Sequence, residues 1–89
     1  MMLRALAASA LPCGLTLALD DAAERPWSSA TFTGARLTLR LAIAGADPAA
    51  WLAALPDADL PVPGRLVADL IVVAATPATA TLEVLLLEA

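Results

Sequence analysis

Eighty-nine residues allow one small domain, spanning 1–89. Ala (23) and Leu (18) dominate while Lys, His, Asn, Gln and Tyr are absent, which excludes imidazole bases, histidine-ligated metals and Schiff-base lysines. The single Cys excludes an intrachain disulfide, and a net charge of −4 with a pI near 4.3 argues against nucleic acid as a partner.

An apolar fraction of 61% with a mean hydropathy of +0.82 is opposite to the composition of disordered chains. Much of that fraction is Ala, which buries few carbons, so help from a partner chain is expected. Abundant Ala, Leu, Arg, Pro and Gly beside no Lys, Asn or Tyr points to a GC-rich bacterial gene.

Residues 2–10 read as a short Ala-rich helix stopped before Pro12, followed by a strand over Gly14–Leu19 with Leu15, Leu17 and Leu19 on one face. The competing reading takes residues 1–19 as a signal or membrane anchor, because Arg4 precedes a nearly uncharged apolar run, and leaves 1–12 as a targeting or poorly packed segment. Only three residues separate Arg4 from Ala8-Ser9-Ala10, and Pro12 interrupts a run already too short to span a bilayer, so a cytoplasmic chain is expected.

Asp20–Pro26 is charged and ends in proline, the mark of an exposed connection. Gly34-Ala35 then predicts a type II′ turn joining strands 28–33 and 36–44. That register sets Phe32 opposite Leu37 and Ala30 opposite Leu39, with Leu41 and Ile43 continuing the apolar row. The other face carries Arg36, Thr38 and Arg40.

Asp47-Pro48 supplies a capping oxygen and a proline at the first helical position, so a second short helix starts there, ends before Pro56 and buries Trp51, Leu52 and Leu55. Residues 57–64 form an extended loop. A last hairpin, 65–75 with 79–88, turns at Thr76-Pro77-Ala78-Thr79. Its register sets Val73 against Leu82 and Ile71 against Val84 on an apolar face. On the reverse face Ala74 meets Thr81, Val72 meets Glu83, Leu70 meets Leu85 and Ala68 meets Leu87.

The expected fold is therefore α+β, in the order α-β-β-β-α-β-β, with a mainly antiparallel sheet packed against a short helix. Ala68, Leu70, Leu85 and Leu87 make the second sheet face apolar as well, the pattern of an interaction surface for a second copy or an unidentified protein partner. Arg36 and Arg40 are a possible anion contact, or simply solvated and paired charges. Asp20, Asp21, Glu24, Asp57, Asp59, Asp69 and Glu83 read as surface acids without metal-ligand spacing, and Cys13 reads as an inert small hydrophobe. No cofactor and no metal is expected, and the balance falls towards a non-catalytic chain.

Overall fold

Leu37, Leu39, Leu41 and Ile43 alternate along one strand and need a layer to cover them. In the computed structural model, which describes residues 2–88, two short helices supply that cover. The chain runs α1 (Met2–Ala10), β1 (Leu15–Ser28), β2 (Thr33–Gly45), α2 (Ala49–Ala54), β3 (Arg65–Ala75) and β4 (Thr79–Glu88). The four strands form one antiparallel sheet in the order β1-β2-β4-β3.

The fold is α+β as expected, but in the order α-β-β-α-β-β, one strand fewer than predicted. The segment Asp20–Pro26, read as a connection, continues β1, and Asp20 is a bulge between Leu19 and Asp21. Charges and proline are tolerated there because β1 is an edge strand. The turn consequently falls at Ser29–Phe32, where the Ser29 N–H donates to the Phe32 carbonyl at 2.8 Å and Ser29 Oγ accepts from the amides of Thr31 and Phe32. Gly34, expected in that turn with positive φ, is instead inside β2, between Trp27 and Leu87. The longer ladder wins because it pairs thirteen residues of β1 with β2, satisfying far more backbone than the short predicted hairpin. Phe32, expected opposite Leu37, is left exposed in the turn.

The second hairpin turns where predicted. The Thr76 N–H donates to the Thr79 carbonyl at 2.9 Å, and Ala74 pairs with Thr81. A bulge at Val73 then shifts the register by one and reverses the side chains from Val72 to Asp69, until a second bulge at Ala68 restores the original phase for Val67 and Leu66. Leu70 faces Val84 and Val72 faces Leu82 on the helix side, while Ile71 and Val73 are expelled to the opposite face. Leu70, assigned by sequence to the interaction surface, is thus a core residue, 3% exposed. Both phases carry large branched side chains and differ in polarity only at Asp69, so the hydrophobic residues alone do not choose between them.

The core lies between the sheet and the helices. Met2, Ala5, Leu6 and Ala10 occupy one stripe of α1, and Trp51 and Leu52 with Leu55 just beyond give α2 its buried side. Asp47 Oδ1 accepts from the Ala49 amide at 3.1 Å, as expected of an acid at the helix start, but Pro48 stands at the N-cap and not at the first helical position. Leu6, Leu15, Leu41, Leu55, Leu82 and Val84 are fully buried, each worth about 1.5–3 kcal/mol of burial. Met2, Ala5, Leu6, Ala10 and Leu15 are thus part of the sheet-and-helix core, and a leader or anchor made from residues 1–19 would have to give up their contacts. Among the described residues, no helix is long and apolar enough to cross a membrane.

The two halves of the chain repeat one another. Each is a helix, a 3-10 turn that begins at an Ala-Leu-Pro sequence (10–12 and 54–56), a glycine with positive φ (Gly14, 76°; Gly64, 73°) and a β-hairpin. Because β2 and β4 pair antiparallel at the centre, an approximate two-fold axis pierces the sheet between Thr38 and Glu83. It relates Leu37, Leu39 and Leu41 to Leu82, Val84 and Leu86, all buried on the same side.

Candidate interaction surface

With both helices on one side, the other side of the sheet has no covering element among the described residues. Residues directly paired across antiparallel strands share a face, so the register spells out this surface row by row, from β1 through β2 and β4 to β3. The first row is Trp27, Gly34, Leu87 and Leu66; the second is Arg25, Arg36, Leu85 and Asp69. The third is Ala23, Thr38, Glu83 and Ile71, and the fourth is Asp21, Arg40, Thr81 and Ala74, with the bulged Val73 beside it.

Three of the large exposed hydrophobic side chains of the molecule belong to β3: Leu66 at 58%, Ile71 at 46% and Val73 at 54%. Leu85 is half-buried among them. Leu87 is only 8% exposed although it lies on this face and outside the main core cluster. In its row Gly34 carries no side chain, and Trp27, half-buried on β1, is the nearest large residue beyond it. A Cβ at Gly34 would strike the Leu86 carbonyl oxygen, so the glycine is set by the close approach of β4.

Of the sequence-predicted surface residues, the structure brings Leu85 and Leu87 together on this face and removes Leu70 from it. Ala68 is an exposed bulge between Val67 and Asp69 on the edge strand. Sequence reasoning missed Trp27, Leu66, Ile71 and Val73, because the bulge at Val73 carries no mark in composition and Trp27 follows a segment that reads as loop.

Arg36 and Arg40 share the face, but in different company. Arg36 is paired directly with Arg25 and with Leu85, whereas Arg40 is flanked by Asp21 and Thr81. A shallow depression of about 200 Å³ is lined by Arg25, Arg36, Thr38 and Glu83, so an anion entering it would meet a resident carboxylate. A second concavity, about 350 Å³, lies on the helix side where the sheet outruns α1, against Met2, Leu37, Leu39 and Leu86, with Glu24 and Arg65 among its walls.

Cys13, expected to pack as a small hydrophobe, is exposed at the turn after α1. Among the described residues, no group of three or more His, Cys, Asp or Glu side chains is arranged to hold a metal ion. No family model, curated protein or solved structure matches the chain.

Proposed function

We propose that this chain is a non-catalytic interaction module that uses the helix-free face of its sheet to bind protein, either a second copy of itself or another chain. The observation that carries the reading is the cluster of Leu66, Ile71 and Val73 left bare beside Leu85 on a sheet face with no covering layer. An antiparallel sheet with one wet side normally alternates apolar and polar residues. Here the second side carries a run of branched hydrophobes that costs solubility unless it is covered.

The accessible surface supports the same reading. It amounts to 5434 Å², against roughly 4,900 Å² for a compact chain of this mass, and the molecule measures 42 × 21 × 18 Å. An extended sheet with one face open accounts for the excess.

Light scattering after size-exclusion chromatography, in reducing buffer so that Cys13 cannot cross-link chains, tests the proposal. The wild-type chain is expected to self-associate or to bind a hydrophobic dye, and Leu66→Asp with Ile71→Asp is expected to abolish both. A soluble monomer that ignores the dye overturns the reading.

A further inference from the structure

The charges on the helix-free face are divided across it. On this face Arg25, Arg36 and Arg40 lie on β1 and β2 with Asp21, whereas β4 and β3 present Asp69 and Glu83 and, among the described residues, no cation, Arg65 being in the helix-side phase. The face is thus neutral in sum, and the net charge of −4 comes from the rest of the molecule, where Arg4 and Arg65 stand against six acids. A surface that is neutral, basic on one side, acidic on the other and apolar along one end is complementary to itself.

We infer that two copies stack these faces about a two-fold axis running parallel to the strands, an inference that rests on the function proposed above and names the occupant and its orientation. This axis keeps each row in place and reverses its order, so β1 of one copy lies over β3 of the other and β2 over β4. Arg25 then faces Asp69 of the second copy, Trp27 faces its Leu66, and Ala23 faces its Ile71. Each contact occurs twice, as in any isologous pair.

The alternative axis, in the same plane but across the strands, lays each strand over its own copy. It sets arginine-bearing strands against arginine-bearing strands and so repels. The stacking chosen by charge is also the aligned packing that sheets adopt, with faces about 10 Å apart and strands within about 30°. Four strands by seven residues present roughly 19 × 23 Å of projected face, the scale of the ~800 Å² of accessible surface per partner at a standard interface.

One further detail favours a partner at this place. Arg25 and Arg36 are directly opposite one another across β1 and β2, an arrangement that destabilises a sheet by itself. Glu83, which lines the same depression beside Arg36, relieves this only in part, and a carboxylate from the second copy, brought over Arg25, adds to that relief.

Charge reversal tests the orientation, read as dimer dissociation constants by sedimentation in reducing buffer. Arg25→Asp and Asp69→Arg are each expected to weaken the dimer about tenfold or more, and the double variant to recover most of the loss. Arg25→Asp carries an added signature: it replaces the Arg25–Arg36 repulsion with an attraction inside one chain, so the monomer gains thermal stability while the dimer weakens. Should a reversal unfold the chain, Arg25→Ala and Asp69→Ala make the same comparison, each weakening the dimer. A dimer broken by Ile71→Asp but indifferent to the charge variants overturns the axis and leaves the face. A dimer indifferent to Ile71→Asp overturns the face as well, and a wild-type chain that stays monomeric at about 100 μM, where even weak specific pairs form, ends both.

Discussion

The Trp51 indole N–H donates to Ser9 Oγ at 3.1 Å, and the Ser9 hydroxyl in turn donates to the Leu6 carbonyl at 2.8 Å. This relay joins the two helices, one from each half of the chain, over the middle of the sheet. Ser9→Ala leaves a buried indole donor without its partner, so it is expected to cost about 1–3 kcal/mol in denaturant unfolding. Trp51→Phe removes donor and need together and should cost less through the hydrogen bond, although it loses ring volume. A loss below about 0.3 kcal/mol for Ser9→Ala would mean that the contact contributes nothing net.

Gly34 stands where a side chain cannot. Gly34→Ala drives a methyl group into the Leu86 carbonyl and must push β2 from β4, the central pair of the sheet. The expected loss exceeds the roughly 1 kcal/mol change of an ordinary Gly→Ala exchange and reverses its usual sign. Gly64→Ala provides the contrast, since nothing crowds that position and only its φ of 73° is strained. Thermal melts of the two variants should therefore rank Gly34→Ala as much the worse.

Core truncations at the fully buried positions should be severe. Leu6→Ala and Leu82→Ala are each expected to cost about 2–5 kcal/mol, a large part of the roughly 4–13 kcal/mol available to a chain of this length. Deleting residues 2–13 removes the whole of α1 and exposes Leu15 and Leu41, and the remainder should lose cooperative unfolding by circular dichroism. A shortened chain that melts as sharply as the intact one would mean that the first helix is dispensable.

The strands were legible where one face is apolar and the other is not. Leu37-Thr38-Leu39-Arg40-Leu41 admits one phase only, and both helices declare themselves through a proline stop and, for α2, the Asp47 cap. What escaped was register. From Leu70 to Ala75 the strand is apolar in either phase, with only Asp69 before it marking the Ile71 and Val73 phase as the outward one, so the exact register is made by bulges, and a bulge has no residue signature here beyond small or β-branched side chains. The first hairpin failed for the opposite reason: Asp20, Asp21, Glu24 and Pro26 advertise a loop, and only pairing with the whole of β2 along an edge makes them a strand. The internal repeat left Ala-Leu-Pro and an inward row of leucines as its trace: of the three pairs it relates on β2 and β4, two are Leu with Leu and one is Leu39 with Val84.

The candidate surface inherited both errors. Leu85 and Leu87 were placed on the right face because the turn at Thr76–Thr79 fixes β4, but their neighbours were drawn from the wrong phase of β3.

Trp27 and Trp51 are the only two indoles in the chain, and they lie on opposite sides of the sheet. Their emission separates two events that are usually tangled in one signal. With Trp51 replaced, the remaining fluorophore watches the stacking face, and iodide should quench it until a second copy shields it; with Trp27 replaced, the remaining one is dark to quencher until the helices leave the sheet. If the proposed pair forms, a dilution series followed in both backgrounds separates its dissociation from the unfolding of the chain.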